Sequence, residues 1–202
     1  MDSAQPVGGL ILAGGRATRM GGVDKGLVPL AGKPMINHVL ERLAPQLDQV
    51  LINANRHLPQ YRELGYTVLA DSLDDYQGPL AGMLAGLQHC QTKLMITAPC
   101  DSPLPPLDYV SRMLGALNQA DAELAVATDG KRLQPVFCLL STRLGDSLQA
   151  FLAAGDRKID LWFAQHKMVE VDFSDQPQAF ANINTAEQRD QLEQLLLADK
   201  DS

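Results

Sequence analysis

Val7-Gly-Gly-Leu-Ile-Leu-Ala-Gly-Gly-Arg-Ala-Thr-Arg-Met-Gly-Gly-Val-Asp-Lys25 reads as a short buried strand that runs straight into glycine. The run Val7 to Ala13 is apolar and too short for a helix of ordinary length, so it is expected to be a strand buried on both faces. Gly14 and Gly15 follow it directly, and ligands of open α/β sheets bind beyond the carboxyl ends of strands. Glycines at such a turn let backbone N–H groups approach phosphate oxygens with no Cβ in the way. Arg19 and Lys25 then add positive charge, and Gly21-Gly22 keeps the second half of the loop compact. The pattern is neither a Walker loop, because Lys25 follows Asp24 and precedes Gly26, nor a G-x-G-x-x-G dinucleotide turn.

Outward from this loop the same rhythm repeats. Val50 to Asn53, Tyr66 to Ala70 and Leu94 to Ala98 read as strands; Pro34 to Leu43, Leu58 to Leu64 and Pro79 to Cys90 read as helices, with Pro34 and Pro79 each in a first helical turn. Alternation of this kind predicts an α/β fold, a mainly parallel sheet with helices on both faces. After Pro103 the order changes. Pro105 to Gln119 is expected to be a helix, and Glu123 to Thr128 and Arg132 to Leu140 flank a tight turn at Asp129-Gly130. Thr142 to Ala154 and Thr185 to Ala198 read as amphipathic helices and Met168 to Phe173 as a strand, so the sheet is mixed. One domain covering residues 1–202 is the economical organisation.

Composition narrows the chemistry. At 46% hydrophobic residues, the chain can bury roughly 70% of its unfolded surface without a disulfide or metal staple. The three cysteines and four histidines are scattered, with no zinc-like spacing, and sparse thiols fit a reducing cytoplasm. No apolar run approaches the ~20 residues of a membrane span, and the N-terminus lacks a basic signal-peptide start, so a cytoplasmic protein off the membrane is expected. A net charge of -7 argues against a general nucleic-acid binder. Between Ser3 and Leu40, however, Asp24 is the only acid against Arg16, Arg19, Lys25 and Lys33, a local balance that suits a small anionic ligand.

Further along the chain, Asp101 lies just past the strand Leu94 to Ala98 and is stiffened by Pro99 and Pro103. One carboxylate at a strand end suits a magnesium ion on a triphosphate; the structural alternative is a cap on the following helix. Asn53 and Asp71 also sit at strand ends, as turn formers or as hydrogen-bonding partners for a nucleoside. Gly78, Gly82 and Gly86 are spaced either for a flat ligand against the backbone or for tight helix–sheet packing.

Taken in order, Leu12-Ala-Gly-Gly15, Arg19-Met-Gly-Gly-Val-Asp-Lys25, Asn53-Ala-Asn55, Asp71-Ser72, Gly78-Pro-Leu-Ala-Gly82, Pro99-Cys-Asp-Ser-Pro103, Gln134-Pro-Val-Phe137, Gly155-Asp-Arg-Lys158 and Asn182-Ile-Asn-Thr185 resemble the molybdenum cofactor guanylyltransferases, a MobA-like nucleotidyltransferase family. The resemblance spans nearly the whole chain. It implies a three-layer Rossmann-like nucleotidyltransferase fold and transfer of GMP from GTP to the terminal phosphate of molybdenum-molybdopterin, with release of pyrophosphate. It further implies Mg2+ on Asp101, catalytic roles for Arg19, Lys25 and Asp101, and nucleotide contacts from Leu12, Ala13, Gly14, Gly15, Lys25, Asn53, Asp71, Gly78, Gly82 and Asp101. Asn182 and Asn184, which alternate on an extended segment, could address the pterin substrate together with Arg157 and Lys158; the alternative for the Arg157-Lys158 pair is a solvated surface. Ala186 departs from the family pattern, where a proline commonly follows Asn-x-Asn-Thr. A monomer making transient contacts with other proteins of that cofactor's synthesis is expected.

Overall fold

The computed structural model describes residues 5–15, 24–71 and 78–198. Its frame is a seven-stranded sheet of β1 (Val7–Leu12), β4 (Gln49–Asn53), β5 (Thr67–Leu69), β6 (Leu94–Pro99), β7 (Leu124–Thr128), β8 (Leu133–Ser141) and β9 (Met168–Asp172) in the order β5-β4-β1-β6-β8-β7-β9. β1 pairs in parallel with β4 and β6, β4 with β5, and β7 with β9, while β8 runs antiparallel to both its neighbours. The mainly parallel, mixed sheet expected from the sequence is therefore present.

Side-chain alternation builds the two flanking layers. Ile11, Ile52 and Ile96 point to one face, where α1 (Met35–Leu43), α2 (Leu58–Arg62) and α4 (Tyr109–Ala120) supply Ile36, Val39, Tyr61, Tyr109 and Met113. Their neighbours Leu10, Leu51 and Met95 point to the other, against Leu80, Met83 and Leu84 of α3 (Pro79–His89), Phe151 of α5 (Gly145–Ala153) and Trp162 of α6 (Ile159–Phe163). Period-2 burial on both faces is what apolar strands between helices require. Among the described residues no helix is long and apolar enough to cross a membrane.

Several boundaries differ from the sequence expectations. Pro34 belongs to a two-stranded hairpin, β2 (Pro29–Leu30) with β3 (Lys33–Pro34), and α1 begins one residue later. Its turn residues Ala31 and Gly32 both have positive φ (48° and 84°), the requirement of a type I′ turn. Alanine in that conformation gives no sequence signal. α4 starts at Tyr109 rather than Pro105, since a proline cannot supply the N–H groups a longer helix would need. The short α6 was not anticipated; five residues leave too little periodicity to read. α7 (Ala186–Ala198) closes the chain, with Leu192 and Leu196 against Val28, Leu30, Met35 and Ile183.

The chain passes outward from β1 through α1, β4, α2 and β5, then returns through α3 to β6 on the other side of β1. The carboxyl ends of β1 and β6 thus flank the point where the winding reverses.

Candidate active site

A cavity of about 460 Å³ lies along this edge of the sheet, lined by Leu12, Ala13, Gly14 and Gly15 at the end of β1, Asn53 at the end of β4, Asp71 after β5, and Cys100 and Asp101 after β6. Because β8 is antiparallel to β6, its amino-terminal residues Gln134 to Phe137 reach the same edge and form the opposite wall.

On the first wall, Asn53 and Asn55 converge on Asp71. Asn53 Nδ2 donates to Asp71 Oδ1 and Asn55 Nδ2 to Oδ2, each at 2.8 Å, while the Asp71 N–H donates to Asn55 Oδ1 at 2.8 Å. Both carboxylate oxygens are thus fixed, yet each keeps lone-pair capacity toward the cavity. Asn53 is 3% exposed, and its side chain occupies space that two glycines leave free. A Cβ on Gly14 would come within 2.8 Å of Asn53 Oδ1, and one on Gly82 within 2.3 Å. Gly82 and Gly86 accordingly serve helix–sheet packing, Gly86 against Leu10 and Met95. Gly78, with φ of 76°, starts α3 at the cavity's lip.

At the centre stands Lys25. Its Nζ donates to Asp101 Oδ2 at 2.9 Å and to Asn184 Oδ1 at 2.6 Å, joining the loop after β1, the end of β6 and the segment before α7. That segment is pinned by the Ile183 N–H on the Asp101 carbonyl (2.8 Å) and by Ser102 Oγ donating to Asn182 Oδ1 (2.6 Å). Asp101 is therefore engaged with a cation, and the first residue before α4 is Asp108, which makes no side-chain cap.

The far wall owes its shape to an irregularity. β7–β8 pairing jumps from Val126↔Cys138 to Ala127↔Gln134, so Pro135, Val136 and Phe137 bulge out of the ladder toward the cavity. Thr97 Oγ1 donates to the Val136 carbonyl at 2.6 Å and receives the Cys138 N–H at 3.4 Å, which fastens the bulge to β6. Gln134 Nε2 donates to Asp129 Oδ2 (2.8 Å), and that carboxyl is held below its ordinary range chiefly by the N–H groups of Arg132 and Lys131.

Of the residues singled out from the sequence, Leu12, Ala13, Gly14, Gly15, Lys25, Asn53, Asp71, Gly78, Asp101 and Asn182 line this one cavity. Asn184 adjoins it through Lys25, Gly82 stands behind Asn53, and Arg19 falls outside the described residues. Arg157 and Lys158 do not line the cavity; Arg157 Nη1 donates to the carbonyls of Leu152 and Asp156 at the end of α5. Asp24, Pro79, Pro99 and Cys100 line it without having been assigned a role in the site. Asp24 carried a signal as the one acid in a basic segment, and Pro99 as a residue that stiffens Asp101.

Known proteins resemble this chain in sequence and in fold. The family described as MobA-like NTP transferase domain matches residues 9–170. The chain belongs to that family. A molybdenum cofactor guanylyltransferase of Shewanella piezotolerans is 53% identical over 193 residues, 96% of this chain and 95% of its own. One from Shewanella sediminis is 54% identical over 187 residues, 93% of this chain and 95% of its own. The crystal structure of molybdopterin-guanine dinucleotide biosynthesis protein A from Archaeoglobus fulgidus, 21% identical, superposes with a TM-score of 0.76 and covers 95% of this chain and 99% of that one. This MobA-like chain is thus a nucleotidyltransferase with the fold of that group.

Proposed function

We propose that this enzyme transfers GMP from GTP to the terminal phosphate of molybdenum-molybdopterin, forming molybdopterin guanine dinucleotide and pyrophosphate. The observation that carries the reading is Lys25, whose ammonium donates to Asp101 and Asn184 in the same cavity that Asn53, Asp71 and Asn182 line. The names of the relatives at 53% and 54% identity supply guanine and the molybdenum cofactor.

The described lining carries three carboxylates, Asp24, Asp71 and Asp101, against one ammonium, Lys25. A triphosphate needs more positive charge than that, and the Lys25 ammonium on Asp101 marks a place that favours a cation. One carboxylate completed by water and phosphate oxygens is a donor set Mg2+ accepts, so Asp101 would hold it. When bound, the ion would neutralise charge on the transferring phosphoryl group and on the departing pyrophosphate.

An acceptor phosphate oxygen would attack the α-phosphorus in line as the bond to the β-phosphate bridging oxygen breaks. The acceptor is already an anion, so no proton has to be removed, and rate derives from placement and charge. Lys25 would exchange Asp101 and Asn184 for phosphate oxygens. Asp71, its oxygens steadied by Asn53 and Asn55, would accept from the guanine edge or the ribose hydroxyls. Asn182, Asn184 and the 134–137 bulge would face the acceptor.

The test is pyrophosphate release from GTP and Mg2+ with molybdenum-molybdopterin as acceptor, alongside ATP, CTP and UTP. GTP is expected to be preferred. A preference for CTP would overturn the guanylyl assignment, and pyrophosphate release independent of acceptor would overturn the acceptor.

A further inference from the structure

We infer that Asp24, whose buried side chain immediately precedes Lys25, is a positioning residue for that lysine, and that Tyr61 and His57 of the neighbouring α2 segment hold it there. The inference rests on the triphosphate role given to Lys25 above.

Asp24 is only 6% exposed, and a carboxylate so buried is costly unless donors surround it. Three do. Oδ1 accepts from the Tyr61 hydroxyl at 2.5 Å and from the Gly26 N–H at 3.2 Å, and Oδ2 faces His57 Nδ1 at 3.1 Å. A cap for the turn Lys25–Leu27 would need the Gly26 contact alone, on the surface. Here two side chains from another element reach in as well. An asparagine could satisfy them only in part, because it has one acceptor oxygen and would turn N–H groups toward a donor.

The contact is also close. A Cβ on Gly26 would lie 2.5 Å from the Tyr61 hydroxyl and 3.3 Å from Cys100 Sγ, so the backbone just after Lys25 is pressed onto α2 and the end of β6. A lysine side chain is long and flexible, and its ammonium is well placed only if its backbone is fixed. His57 adopts a left-handed conformation, φ 50°, just before α2, which aims its ring back at Asp24. Burial pushes the Tyr61 phenol well above its ordinary range, so it stays a donor at any physiological pH.

Tyr61→Phe removes one donor and keeps the ring. Titration calorimetry of GTP with Mg2+ would be run on the full chain, with and without Lys25→Ala, and repeated with guanosine, which offers Lys25 no phosphate. In the wild-type background Tyr61→Phe is expected to weaken GTP about tenfold, the scale of one lost hydrogen bond to a charge. In the Lys25→Ala background it should cost nothing more, and guanosine affinity should not move. Unchanged GTP affinity, the same loss in both backgrounds, or an equal loss for guanosine would each overturn the inference, the last two by showing a general loosening of the cavity. Wild-type protein that binds none of the triphosphates would instead overturn the functional reading beneath it.

Discussion

Asn53 shows how much one side chain can settle. It ends β4, donates to Asp71, and fills the gap left by two glycines from segments far apart in sequence, Gly14 and Gly82. Gly82→Ala would drive a methyl group into Asn53 Oδ1 and Leu12, both fixed by the sheet. Overpacking of this kind costs about 1–3 kcal/mol. Urea denaturation should register that loss, and nucleotide affinity should fall with it as Asn53 is displaced from Asp71. Gly115→Ala makes the same chemical change on an open face of α4, where nothing lies within 4 Å. It should raise stability by about 0.5–1 kcal/mol, the helix propensity difference. Equal effects at both positions would refute the packing account. Tyr61 and Tyr109 give a pH test. Burial raises both phenols above their ordinary value of 10.0, so above that pH the unfolded chain gains by ionising while the folded chain does not. Stability is therefore full below pH 10 and declines as pH rises past it. In a spectrophotometric titration these two of the four tyrosines should ionise only as the protein unfolds.

At the scale of elements, what could be read from sequence follows how local the cause is. The strands β1, β4 and β6 and the loop glycines after β1 were legible because apolar runs, glycine and proline act through neighbouring residues. The hairpin at Ala31-Gly32 was not, because an alanine held at positive φ by tertiary contacts has no compositional mark. The role of Gln134 to Phe137 was hidden too: those residues look like continuous strand, and only the register jump against β7 turns them into a cavity wall. Asp24 was visible as a lone acid, but its partners Tyr61 and His57 are brought to it by the packing of α2. Thr97 tests the wall. Thr97→Val keeps the shape and deletes the hydroxyl that donates to the Val136 carbonyl. Stability should fall by about 1–2 kcal/mol in urea denaturation, the usual cost of a lost hydrogen bond with a partner left behind. In steady-state assays KM for the acceptor should rise while KM for GTP stays put, since Asn53 and Asp71 are on the opposite side. A rise confined to GTP would reverse the assignment of the two walls.

Across the whole molecule, the cavity is the place where elements from both halves of the chain meet: β1 and β4 on one side, β8 and the segment before α7 on the other, with Lys25 bonded to both Asp101 and Asn184. A ligand that bridges these elements stabilises the folded state over the unfolded one, by about 2.7 kcal/mol at a hundredfold excess over Kd. For a chain of this size each kcal/mol moves the midpoint by about 2–4 °C, so GTP with Mg2+ should raise Tm by roughly 5–10 °C. The charge on the described lining makes this shift conditional. With Asp24, Asp71 and Asp101 in the described lining and one ammonium to offset them, GTP in the presence of a chelator should stabilise far less. Asp101→Ala should abolish the difference between the two conditions, because the carboxylate that holds the cation is gone, and Lys25 then has one partner fewer to leave. Scanning calorimetry of the two proteins under both conditions gives the four midpoints needed. If GTP shifts the wild-type midpoint equally with chelator and with Mg2+, Asp101 does not hold a metal in this enzyme, and the ammonium it binds is its functional partner instead.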